Sequence, residues 1–167
     1  MAEVVDKTED ARAERTASAT GVAAPTFDLN GKYRYKVDEK GRVSLPAKFR
    51  KVVSKDLVVT LSPEGDGLWV FESAGFNRWI IQLFEDRFGG YDSSSKLHMG
   101  MRSKLKARSE DVVVDSSGRI MLPAEMREKV GIGKDVVIVG NTGYFEVWDA
   151  KRYDQMDEEI DLDLLFH

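Results

Sequence analysis

A ten-residue stretch, DEKGRVSLPA at residues 38–47, returns as DSSGRIMLPA at residues 115–124, 77 positions further on. Asp, Gly, Arg, Val or Ile, Leu, Pro and Ala keep their places. The same offset relates VFE at residues 70–72 to VWD at residues 147–149. A repeat on this scale means two units of one build, and it constrains the fold more than any local pattern does. One unit of about 40 residues is too small to bury a sufficient core alone. Two units can interleave strands and close a barrel, which removes exposed sheet edges.

The pattern inside each copy supports this. Residues 33–37 alternate apolar and basic side chains, the period-2 pattern of a half-buried strand. Residues 38–41 form a turn, with Asp38 at its start and Gly41 supplying positive φ. A strand resumes at residues 42–45, with Val43 and Leu45 on one face. Pro46 stops it and presets a helix start. Residues 47–53 then read as two helical turns with Phe49, Val52 and Val53 inward. Strands follow at 56–61 and 68–71. The second copy has strands at 111–114 and 119–122 around a turn at 115–118. Its helix spans 124–130, with Gly131 as cap. Two more strands, 135–139 and 144–148, are joined by a Gly-Asn-Thr-Gly hairpin.

Each copy leads into helical sequence. Residues 75–88 place Phe76, Trp79, Ile80, Leu83 and Phe84 at helical spacing, for core packing or for subunit contact. Residues 95–108 form a basic helix, and residues 150–159 a third. Leu164, Leu165 and Phe166 are either frayed or docked on a partner. The expected division is an acidic disordered tail at 1–30, repeat one at 31–74, connecting helices at 75–108, repeat two at 109–152, and a helix end with acidic tail at 153–167. Order is expected to set in between Phe27 and Lys32. The fold class is mainly β within α+β: a barrel of two half-barrel repeats with flanking helices.

The net charge of −4 hides a strong asymmetry. Residues 31–55 hold nine bases and two acids, and residues 96–108 hold five bases and no acid. Residues 149–167 hold seven acids and two bases. Two basic segments on an acidic chain point to a polyanionic partner. The absence of cysteine excludes disulfides and thiolate metal sites. No apolar run is long enough to span a membrane. The charged start lacks the apolar stretch of a signal peptide, so a soluble cytoplasmic protein is expected.

Asp38 and Arg42 lie four apart across a tight turn, as do Asp115 and Arg119. An Asp that fixes an Arg can be a purely structural lock. It also preorganises a planar fork able to grip guanine edges or phosphate. Lys40 and the alternating Lys32, Arg34 and Lys36 would add phosphate contacts. The first turn lies in basic sequence, whereas residues 109–134 hold four bases to five acids. Arg42 is therefore expected to carry more of the binding than Arg119. Nothing suggests an enzyme. His98 lies in a basic helix, His167 is terminal, and no phosphate loop, catalytic triad or metal spacing is present. No cofactor, metal or small-molecule substrate is expected.

DEKGRVSLPAKFRK and DSSGRIMLPAEMREKVGIGKDVVIVGNTGYFEVWDAKRY together resemble the MraZ family, over roughly residues 31–153. The resemblance implies a swapped-hairpin barrel built from two SpoVT-AbrB-type repeats. It implies a sequence-specific, nucleoid-associated DNA-binding regulator. Its target would be direct repeats in double-stranded DNA upstream of its own operon, which encodes division and cell-wall functions. It implies a ring-shaped homo-oligomer. The family's DNA-contacting motif falls here on Asp38, Lys40, Gly41 and Arg42, and on Asp115, Gly118 and Arg119. The extension ahead of the first strand departs from the family pattern. A competing reading is a protein-interaction module of antitoxin-like barrel type. Two halves in one chain argue against it, and the terminal DEEIDLDLLFH speaks for it.

Overall fold

The computed structural model describes residues 26–167. In β1 (Lys32–Lys36) the alternation places Tyr33 and Tyr35 half-buried and Lys32, Arg34 and Lys36 outside. A tight turn leads to β2 (Arg42–Ser44), and Pro46 opens α1 (Ala47–Arg50). β3 (Asp56–Leu61) and β4 (Leu68–Glu72) complete the first copy. Two helices follow, α2 (Ser73–Phe88) and α3 (Lys96–Ala107). The second copy repeats the order with β5 (Ser109–Val113), β6 (Arg119–Met121), α4 (Ala124–Lys129), β7 (Asp135–Gly140) and β8 (Phe145–Asp149). α5 (Ala150–Glu159) and the single turn α6 (Asp163–Phe166) end the chain.

Strand pairing explains why the sequence is doubled. Six strands form an antiparallel sheet in the order β1-β7-β8-β4-β3-β5, and β2 pairs with β6. Among the described residues, only the β3–β4 and β7–β8 hairpins stay within their own copy. β1 borrows β7 from the other copy, and β5 borrows β3. The edge strands β1 and β5 continue through tight turns into β2 and β6. The β2–β6 ribbon therefore joins one sheet edge to the other and closes the swapped-hairpin barrel.

The registers obey a pseudo-two-fold axis. Val43 lies opposite Ile120 in the ribbon, and Trp69 lies opposite Glu146 across β4 and β8. Each pair consists of residues 77 apart, so each residue faces its own repeat equivalent. The axis runs through both points, with the ribbon at one end of the barrel and the β4–β8 pair at the other.

Inward-facing residues fill the barrel, with Val43, Leu45, Phe49, Ile120, Leu122 and Phe145 all at or below 1% exposure. The Phe49 ring packs against Tyr33 at 5.4 Å and Phe145 at 5.6 Å. Truncating such a ring to Ala costs about 3–5 kcal/mol. On the outer face α2 covers β3 and β4 through Phe76, Ile80 and Phe84, with Trp79 stacked on Phe71. α5 covers β7 and β8 through Tyr153, against Val137 and Trp148.

Three local expectations change. The helix after Pro46 is one turn, and Val52 is 50% exposed, because residues 51–54 must bend to feed β3; only Phe49 and Val53 reach the core. α4 ends at Lys129 rather than at residue 130, and Gly131 closes it as expected, at φ 71° with its N–H bonded to the Glu128 carbonyl. Phe27 and Leu29, assigned to the acidic tail, are buried, and Leu29 N–H donates to the Asn141 carbonyl at 3.0 Å. Residues 1–25 of that tail lie outside the described residues.

Candidate nucleic-acid interface

Each DxxGR turn is held together by its aspartate. Asp38 Oδ1 accepts from the backbone N–H of Lys40 at 3.0 Å and of Arg42 at 2.8 Å, while Oδ2 accepts from Arg42 Nε at 2.8 Å. Asp115 repeats the arrangement with Ser117 N at 2.9 Å, Arg119 N at 2.9 Å and Arg119 Nε at 3.0 Å. Gly41 and Gly118 occupy the left-handed region at φ 85° and 77°, which closes the turn. The backbone N–H bonds, with the arginine's own behind them, hold both carboxyls below the usual aspartate range. Both therefore stay ionised and keep their arginines fixed.

The arginines stand on the outward face of the ribbon, because the inward positions are taken by Val43 and Ile120. Arg42 is registered with Met121 and Arg119 with Ser44. Arg119 Nη1 also lies 3.9 Å from Asp38 Oδ2, so the two locks touch across the axis. Among the described residues, Arg42 engages Asp38 through Nε, which leaves its two Nη groups as donors. The result is a two-stranded ribbon with two preorientated guanidinium groups. A ribbon of this build fits the major groove of B-DNA, about 12 Å wide.

Two further arginines adjoin the ribbon, and the reading of the motif missed them. Arg50 of α1 lies over the second turn, with Nη1 3.5 Å from the Ser117 carbonyl. Arg127 of α4 lies over the first turn: a Cβ at Gly41 would come within 2.7 Å of its Nη2. Arg50 and Arg127 are repeat equivalents at the same offset of 77, so the signal was available in the sequence.

The exchange of strands changes which helix stands beside each turn. Leu122 N–H bonds to the Gly41 carbonyl and Leu45 N–H to the Gly118 carbonyl, which seats each turn beside the other copy's helix. The first turn sits by α4. Residues 38–42 and 124–129 together hold four bases, Lys40, Arg42, Arg127 and Lys129, and four acids. The second turn sits by α1. Residues 115–119 and 47–51 hold Lys48, Arg50, Lys51 and Arg119 against Asp115 alone. Chain order made the first copy the more basic; the assembled barrel gives that character to the half containing Arg119.

The β1 bases are also placed differently from expectation. Arg34 Nη2 pairs with Asp154 of α5 at 2.6 Å, and this bond lowers the Asp154 pKa. Lys32 Nζ lies 4.0 Å from Asp157 and 5.6 Å from the Tyr153 ring centroid. Both tie α5 to the barrel, several residues along β1 from the turn. Lys36, nearest the turn, lies 4.0 Å from Asp135 and is 71% exposed. The opposite end of the axis has a different character. There burial pushes the Tyr144 hydroxyl up to about 12 and raises the Glu146 carboxyl. Among the described residues no group of His, Asp and Glu side chains could hold a metal ion.

A family model described as "MraZ protein, putative antitoxin-like" matches residues 29–89 and 107–165. The chain belongs to the MraZ family. Three curated relatives, each named Transcriptional regulator MraZ, bear this out. The Treponema denticola protein is 31% identical over 135 residues, covering 81% of this chain and 91% of the relative. The Lachnoclostridium phytofermentans protein is 32% identical over 136 residues, covering 78% and 92%. The Mycobacterium ulcerans protein is 36% identical over 132 residues, covering 77% and 88%. Each of the two MraZ-matched regions contains one DxxGR turn and one of the helix arginines, Arg50 or Arg127.

Proposed function

We propose that this chain is a sequence-specific DNA-binding transcription regulator that lays the β2–β6 ribbon in the major groove. The observation that carries this reading is the pair of Asp-locked arginines on the outward face of a two-stranded ribbon. Arg42 and Arg119 read guanine edges bidentately. Lys40, Lys48, Arg50, Lys51 and Arg127, with Lys36 at the foot of the ribbon, hold phosphates, which adds affinity without sequence information. Lys32 and Arg34 brace α5. Asp38, Gly41, Asp115 and Gly118 shape the turns.

The relatives' names and the family match support the regulatory role. The target is a set of direct repeats upstream of the protein's own division and cell-wall operon, and the protein works at the nucleoid in the cytoplasm. One ribbon cannot read several repeats. A head-to-tail homo-oligomer closed into a ring presents identical ribbons in one sense, which suits repeats spaced about one helical turn, roughly 10 bp. Footprinting on the upstream region across a salt series tests this. Protection of evenly spaced direct repeats that survives moderate salt is the expected result. Equal protection of scrambled duplex would overturn it.

A further inference from the structure

Two features remain that the ribbon does not use. The first is an apolar groove between α2 and α3. Leu83, Phe84, Phe88, Met101 and Leu105 line it, and Arg87, Lys104 and Arg108 rim it. Phe88 is 46% exposed and Met101 38%. The second is the end of the chain. Residues 157–166 carry five acids and no base, interleaved with Ile160, Leu162, Leu164, Leu165 and Phe166. Those apolar side chains are 56–87% exposed. α5 leaves the barrel over β7 and β8, whereas the groove belongs to the helices over β3 and β4.

We propose that residues 160–166 of one copy dock in the α2–α3 groove of the next copy. The charges are complementary: Arg87, Lys104 and Arg108 rim the groove, and residues 160–166 bring Asp161 and Asp163 and no base. The apolar spacing also fits. Leu162, Leu165 and Phe166 stand at i, i+3 and i+4 around the α6 turn, the anchor pattern of a helix laid in a groove. A large apolar surface bounded by charge marks an interaction site. Because the segment and the groove are different patches, each copy offers one and receives the other. The contact is therefore head-to-tail and leaves the ribbon free. This inference rests on the homo-oligomer of the proposed function and names the surfaces that build it.

The test uses full-length protein and mass measurement by light scattering. A tail variant, Leu165→Asp with Phe166→Asp, and a groove variant, Met101→Glu with Lys104→Glu, change exposed residues. Each alone should fall from the assembled mass to the 18.8 kDa of one chain. Mixed in equal amounts, they should form a species of twice that mass, since the pair retains one intact tail and one intact groove. Deleting residues 160–167 should behave as the tail variant does. If wild type assembles and the tail variants keep its mass, or if the mixture stays at one chain, the docking contact is wrong while the oligomer stands. If wild type is itself a single chain, both fall.

Discussion

Arg119→Ala should weaken promoter binding at least as much as Arg42→Ala. The two side chains are 31% and 28% exposed, each is held through Nε by its own aspartate, and both face out from the ribbon. A bidentate arginine on guanine is worth about 1–3 kcal/mol of discrimination, which is about 5- to 150-fold in Kd. Each substitution also leaves an ionised aspartate facing the phosphates without its partner. The surroundings decide between the two. The turn of Arg119 is seated beside α1, whose stretch 47–51 carries Lys48, Arg50 and Lys51 and no acid, while the turn of Arg42 is seated beside α4, which carries Glu125 and Glu128 along with Arg127 and Lys129. Losing one phosphate contact reduces the salt slope by about 0.9. Lys48→Gln with Lys51→Gln should therefore flatten the slope by about 1.8, against about 0.9 for Lys40→Gln. Between about 50 and 200 mM salt, that double variant should be spared roughly 12-fold of the wild-type loss. Fluorescence anisotropy on the native upstream duplex and on a scrambled one, across salt, measures both effects. If Arg119→Ala loses clearly less than Arg42→Ala, and the Lys48 and Lys51 pair leaves the slope unchanged, binding follows chain order and the argument from the exchanged strands fails.

Acid should loosen the turns. Asp38 and Asp115 titrate below the ordinary aspartate value of 3.8, so the unfolded chain binds protons before the folded one. Their stabilisation is full above that value and is lost as pH falls through the depressed values. Urea midpoints between about pH 6 and pH 3 should drop more steeply for wild type than for Asp38→Asn with Asp115→Asn; parallel curves would remove the turns as the source. Gly140→Ala should detach the start of the barrel: a Cβ there would lie 2.6 Å from the Leu29 carbonyl carbon and 2.7 Å from Asn30 N. Exposing Phe27 and Leu29 should cost about 3–6 kcal/mol, seen as rapid hydrogen exchange at the Leu29 amide; wild-type protection there would refute it.

What the sequence made legible was local. The two turns, the helix starts at Pro46 and Pro123, and the alternation in β1 all follow from neighbours a few residues apart. The doubling required that the halves share a sheet, and they do. What escaped was set by distance along the chain. Arg34 looks free until Asp154, 120 residues later, is folded against it. Phe27 and Leu29 sit in a short, otherwise polar stretch, and the backbone of residues 140–143 gives them a place. The charge around each turn escaped for the same reason, since summing along one copy sets α1 with the first turn, whereas the Leu45–Gly118 bond seats it beside the second.

The exchange of strands also answers what two copies do that one cannot. β2 has three residues, and its ladder partner is β6. A half chain ending after α2 would hold β2 without β6, β1 without β7, and Arg42 on an unpaired segment. The carbonyl of Gly41 is met by Leu122 and that of Gly118 by Leu45, so each turn is tied by the other copy's backbone. The same ladder carries Val43 and Ile120 into the core. Positioning the arginines and closing the core are therefore one cooperative event. A core substitution such as Phe49→Ala must loosen the outward ribbon as well as the interior.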